Sequence, residues 1–103
     1  MLTEKLRSIL KFGPASTRYK DIFDIFYLFD LVNREKLMHC LSTLIFADPG
    51  MREDTMEDIV RRVENTFTNK RYFVRLKGSE KNWLGMEVAD VLDGIVDHLR
   101  TLM

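Results

Sequence analysis

The stretch TRYKDIFDIFYLFDL, Thr17 to Leu31, leaves the chain few ways to fold. With successive residues turned by about 100° on a helix, Ile22, Phe26 and Phe29 form one stripe, and Phe23 and Ile25 flank it. A helix that is apolar on nearly all sides must be surrounded by other elements, so the segment predicts a central helix over about 18–31. Asp21 and Asp24 fall about 60° apart on the opposite side, on a line that continues as Leu28 and Leu31. They are expected at the rim of the core. Partial desolvation there raises a carboxyl pKa unless a cation answers it: Arg18, Lys20, Lys5 from an earlier helix, or a metal ion. A plainer account stands beside this one. Acids in a first turn are favoured by the helix dipole, Arg18–Asp21 is an ordinary i,i+3 pair, and Lys5 can lay its stem on the Leu2/Leu6/Ile9 stripe with its ammonium in water.

The remaining segments carry helical periodicity too. Leu2, Leu6, Ile9 and Leu10 predict a helix over about 3–11, which Gly13-Pro14 stops. Ser16 or Thr17 is the expected cap of the central helix. Asn33 should cap a third helix with Leu37, Cys40, Leu41, Leu44 and Ile45 on one face, ended by the ADPG at 47–50. Thr55 with Asp58 reads as a capping box before Ile59, Val60, Val63 and Phe67. KRYFVRLKG, 70–78, has strand propensity but no partner strand, so a short helix is expected, with Tyr72, Phe73 and Leu76 inward and Gly78 as its stop. A last helix over about 86–102 repeats Val88, Val91, Leu92, Ile95, Leu99 and Leu102. Gly94 inside it costs roughly 1 kcal/mol in propensity, to be offset by packing. The expected architecture is all-α, a single domain over 1–103, with five or six helices around the central one.

Composition narrows the partners. Lys+Arg and Asp+Glu are equal at 16 each in 103 residues, so no global field draws the chain to nucleic acid or to an acidic membrane. The single cysteine, Cys40, excludes an intrachain disulfide and points to a reducing, cytoplasmic setting. MLTEKLRSILKF lacks the apolar run of a signal peptide, and acids interrupt every apolar stretch too often for a membrane span.

Other clusters are weaker. His39 and Cys40 are neighbours that point about 100° apart on a helix and so do not chelate together; no metal site is expected in this chain. Asp90, Asp93 and Asp97 form an acidic line, a solvated face or a weak cation site. Lys70, Arg71, Arg75, Lys77 and Lys81 around Tyr72, Phe73 and Trp83 are the best candidates for RNA contact, and inward aromatics under a solvated basic face explain them equally well.

Order along the chain adds a further signal. Glu4-Lys5-Leu6 is followed, after the FGPAST loop, by Arg18-Tyr19-Lys20-Asp21-Ile22-Phe23-Asp24-Ile25. This pair of elements resembles the E-K-L and R-x-K-D-x-x-D-[IL] signature of the AbiEii/AbiGii-type nucleotidyltransferase toxins and covers roughly a quarter of the chain. The resemblance implies transfer of a nucleotide from an NTP to an acceptor, tRNA in some members, in a toxin–antitoxin or phage-defence setting. It assigns catalytic roles to Lys5, Asp21 and Asp24, and substrate binding to Lys5 with Arg18 and Lys20. Lys5 would meet NTP phosphate, with Asp21 and Asp24 supporting it. The same family holds Mg²⁺ on a D-x-D segment after a glycine turn, and the present sequence contains neither. The chain is therefore expected to be the C-terminal helical portion of such an enzyme, inactive alone, with Mg²⁺ belonging to a complete site. Its expected partner is an N-terminal nucleotidyltransferase half or an antitoxin. The competing expectation is a non-enzymatic helical interaction module that self-associates.

Overall fold

The computed structural model describes residues 2–103. Six α-helices follow one another: α1 (Leu2–Phe12), α2 (Tyr19–Phe29), α3 (Arg34–Leu41), α4 (Met56–Phe67), α5 (Lys70–Gly78) and α6 (Val88–Arg100). A 3-10 turn, Gly13–Ala15, links α1 to α2, and a π turn, Ser42–Phe46, extends α3. The described residues contain no strand, and none of their helices is long and apolar enough to cross a membrane. The radius of gyration, 12.8 Å, is the value of about 13 Å that one packed domain of this length should have.

As its periodicity predicts, α2 sits among the other helices. Ile22, Phe23, Ile25 and Phe29 are buried in one cluster with Leu2, Leu6, Ile9 and Leu10 of α1, Ile59 and Val63 of α4, and Val91, Ile95 and Leu99 of α6. The helix is shorter than the predicted 18–31, starting at Tyr19 and ending at Phe29, and Leu31 lies exposed beyond it. Its most extensive packing is against α6, and Gly94 permits that approach: a Cβ there would overlap the Phe26 ring. The glycine that propensity alone disfavours is what lets the two helices meet.

Side-chain caps set the starts of three helices, α3, α4 and α5. Asn33 Oδ1 accepts the Lys36 amide at 3.1 Å, and Thr55 Oγ1 accepts the Asp58 amide at 3.2 Å. The Asp58 carboxylate returns to the Asp54 amide at 3.1 Å, one residue earlier than in a standard capping box. Asn69 Oδ1 accepts the Tyr72 amide at 2.9 Å; this cap turns the ambiguous 70–78 segment into a helix. Two expected signals act differently. Ser16 and Thr17 do not cap α2: its N-cap position falls on Arg18, and Ser16 Oγ instead accepts the Arg18 amide at 3.3 Å. Gly78 lies within α5, and the chain reverses at Glu80, φ 59°. Gly13 does behave as expected, taking φ +55°. A side chain there would also press on Arg62, whose Nε donates to the Leu10 carbonyl at 3.3 Å and so covers the C-terminal end of α1.

Replacing a helical glycine by alanine ordinarily stabilises by about 1 kcal/mol. Gly94→Ala is expected to do the opposite, destabilising by about 1–3 kcal/mol through overpacking on Phe26. In a double-mutant cycle by urea unfolding, Phe26→Leu should remove most of that penalty.

Candidate functional site

α1 and α2 place their polar residues at one rim of the core. Leu2, Leu6 and Ile9 turn inward, which leaves Lys5 at the edge of the α1–α2 contact with 23% of its side chain exposed. On α2, the inward turn of Ile22, Phe23 and Ile25 brings Asp21 and Asp24 to that edge, with side chains only 7% and 13% exposed. The Lys5 ammonium lies between them, 3.0 Å from Asp21 Oδ1 and 3.3 Å from Asp24 Oδ2. Residues from the two sequence elements thus meet.

Both carboxylate oxygens of Asp21 and both of Asp24 have a donor. Arg18 Nε donates to Asp21 Oδ2 at 2.6 Å. Lys20 Nζ reaches Asp24 Oδ2 at 3.0 Å and Oδ1 at 3.3 Å. Asp24 Oδ1 also accepts the Trp83 indole N–H at 2.8 Å. Burial by itself would push the Asp24 carboxyl up, but the hydrogen bonds from Lys20, Trp83 and Lys5 outweigh it and hold the group below the ordinary carboxylate value. The hydrogen bond to Asp21 leads the causes that raise Lys5, reinforced by Asp24 and opposed by partial burial, so Lys5 keeps its proton more firmly than a free lysine. A carboxyl held ionised in this way is a poor proton acceptor near neutrality. Asp24 is therefore suited to orienting cations rather than to general-base chemistry.

A small open cavity of about 210 Å³ adjoins the pair, lined by Glu4, Lys5, Ser8, Arg18 and Asp21. Mg²⁺ does not suit these acids. It demands carboxylate oxygens free for near-octahedral coordination, whereas all four here face nitrogen donors within 3.3 Å. Among the described residues, no three His, Cys, Asp or Glu side chains gather closely enough to hold a metal ion. What the rim offers is three cations, Lys5, Arg18 and Lys20, oriented by two acids, with Glu4 beside them.

The other candidates separate. Tyr72 is fully buried, with burial pushing its phenol above the ordinary range, so it presents no face to a base. Lys70, Arg71, Arg75, Lys77 and Lys81 are exposed, and Arg75 donates to the Pro14 carbonyl. His39 is exposed and Cys40 half-buried. His98 stacks on Phe29, centroids 4.9 Å apart, with Nε2 3.8 Å from Asp30. Asp90, Asp93 and Asp97 are solvent-exposed. Sequence proximity groups Trp83 with the basic cluster, whereas the structure places its indole N–H on Asp24, 59 residues away. One local signal was available: it is a lone tryptophan in a polar turn, GSEKNWLG, outside any helical stripe.

The sign of the pH dependence follows from the two shifts. Asp24 titrates lower in the folded state, so its contribution is full above the unfolded value of about 3.9 and is lost as pH falls through the folded value. Lys5 titrates higher when folded, so its contribution is full below about 10.4 and is lost as pH rises through the folded value. Thermal melts across pH should show Asp24→Asn flattening the acid limb while the alkaline limb remains, and Lys5→Met weakening both. Comparison with protein-family models, with curated proteins and with solved structures found no match for this chain.

Proposed function

We propose that this chain is the helical portion of an AbiEii-like nucleotidyltransferase, with Lys5, Arg18 and Lys20 receiving the phosphates of an NTP and Asp21 and Asp24 holding those cations in place. One observation carries the reading: the Lys5 ammonium sits within 3.3 Å of both acids, joining in space the two sequence elements on which the resemblance rests. Nucleotidyl transfer depends mostly on positioning and on neutralising charge at phosphate oxygens, and a lysine kept protonated by fixed carboxylates supplies that neutralisation. Metal-binding carboxylates would come from another segment or chain, so the proposed partner is a nucleotidyltransferase half that carries D-x-D. The acceptor in this reading is an RNA of the tRNA class, in a cytoplasmic toxin–antitoxin or phage-defence setting.

Labelled NTPs, Mg²⁺ and bulk tRNA, incubated with the chain and such a half, should give labelled RNA that neither part gives alone. Lys5→Ala is expected to lower that labelling by about 100-fold, the scale of losing one charge-stabilising donor, and Asp21→Ala to lower it as well. Labelling that survives both substitutions overturns the assignment.

A second reading, self-association as an interaction module, rests on a groove of about 520 Å³ between α4, α5 and α6, walled by Phe67, Phe73, Leu92 and Val96 with Asp93 and Asp97 beside them. Lys70 and Lys77 lie three residues before and four after Phe73, on its side of α5. Acidic and basic banks along one apolar groove are complementary to a second copy related by a two-fold axis. Light scattering should then give a dimer that Asp93→Lys/Asp97→Lys dissociates and that mixing with Lys70→Glu/Lys77→Glu restores. A monomer at all concentrations excludes this reading.

A further inference from the structure

The lone tryptophan has a setting that packing alone does not explain. Trp83 and Tyr27 meet edge-to-face, ring centroids 5.3 Å apart and interplanar angle 63°. Yet Trp83 remains 51% exposed and Tyr27 46% exposed. Two large aromatics that pack on each other and still leave about half their surface in water do little for the core.

They are nonetheless held in place. The indole N–H is anchored on Asp24 Oδ1 at 2.8 Å. The residue before Trp83 pins the loop from both sides, Asn82 Nδ2 donating to the Met86 carbonyl at 2.6 Å and Asn82 Oδ1 accepting the Leu84 amide at 3.2 Å. Tyr27 is carried by α2 itself, one helical turn after Asp24 in the sequence numbering. The pair is an aromatic surface fixed before any ligand arrives.

Its neighbours are cations. A single carboxylate, that of Asp24, separates the indole nitrogen from both Lys20 Nζ and Lys5 Nζ. Lys20 and Arg18 are more than half exposed even while paired with the acids, so an incoming anion can reach them. An exposed aromatic pair beside accessible cations is what a nucleotide needs: the base stacks, whatever its identity, and the phosphates meet the ammonium and guanidinium groups.

We propose that Trp83 and Tyr27 form the base platform of a nucleotide site whose phosphate end is the Lys5/Arg18/Lys20 cluster. This rests on the phosphate reading of that cluster and extends it, by adding the group that recognises the base and a loop element C-terminal to the E-K-L and R-x-K-D-x-x-D pattern and absent from it. Asp24 links the two ends: it aims Lys5 and Lys20 on one side and the indole on the other. Stacking tolerates any base, so the platform selects nucleotides over bare polyphosphates and prefers the larger purine ring over a pyrimidine.

Trp83 is the chain's only tryptophan, so its fluorescence reports the platform directly. The chain is titrated with ATP, with CTP and with inorganic tripolyphosphate, following Trp83 emission and, in parallel, heat of binding. ATP is expected to quench the emission and to bind about 5- to 100-fold more tightly than tripolyphosphate, the range for one stacked base. CTP should fall between them. Tyr27→Leu, which keeps the reporter, and Trp83→Leu, followed by heat alone, should each bring ATP affinity toward that of tripolyphosphate while leaving tripolyphosphate affinity unchanged. Equal binding of ATP and tripolyphosphate with no change in Trp83 emission overturns the platform and leaves the phosphate cluster standing. Quenching and binding by ATP that survive Lys5→Ala, with no tripolyphosphate binding, support the platform and overturn the phosphate cluster. Absence of all binding overturns both.

Discussion

The fold depends on covering α2. Ile22, Phe23, Ile25 and Phe29 are all buried along an eleven-residue helix, and no single neighbour can bury residues that point in so many directions. α1 and α6 therefore both pack against it, and α4 closes the core by meeting α1 and α6. At the α2–α6 approach, Phe26 lies where a Cβ on residue 94 would be, and the helices trade local helix propensity for proximity. Close packing of interiors leaves little room for compromise at such a contact.

The same demand produces the polar rim. A helix buried on most sides has only a narrow strip for charge, and Asp21 and Asp24 occupy it in the first half of α2. Partly desolvated carboxylates require partners, and here they receive three cations and an indole. The result has two aspects that one geometry serves: it fastens α1 and the Trp83 loop to the start of α2, and it places the Lys5, Arg18 and Lys20 ion pairs next to the half-exposed Trp83–Tyr27 pair. Breaking one partner leaves the others in place, so the network is redundant for Asp24 and thinner for Asp21, which relies on Lys5 and Arg18.

Much of the helical content was legible because it rests on local physics. The spacing of Leu2, Leu6 and Ile9, the Gly13-Pro14 stop, the Asn33 cap and the Thr55/Asp58 pair each act within a few residues. Where two local signals compete the pattern is harder to read: it misleads at Ser16 and Thr17, whereas the helix expected over 70–78 does form. Ser16 and Thr17 had the chemistry of a cap, but Ser16 closes the 3-10 turn in an extended conformation and the N-cap of α2 falls on Arg18. The 70–78 segment had strand-forming side chains, and the Asn69 side chain decided for helix by satisfying the Tyr72 amide. Lys5, Asp21 and Asp24 were legible as candidates from spacing and resemblance, whereas Trp83 was not, since nothing near it in sequence names Asp24.

By itself the sequence determined that this chain folds as helices, which of them must be central, and which acids lie at its edge, because periodicity and capping are short-range properties of the covalent chain. Tertiary structure alone decided that Lys5 enters between Asp21 and Asp24, that Gly94 is a contact rather than a flaw, and that Trp83 crosses to α2. Those outcomes depend on where helices sit relative to one another, a matter of packing shape and paired charge over tens of residues that no local pattern encodes.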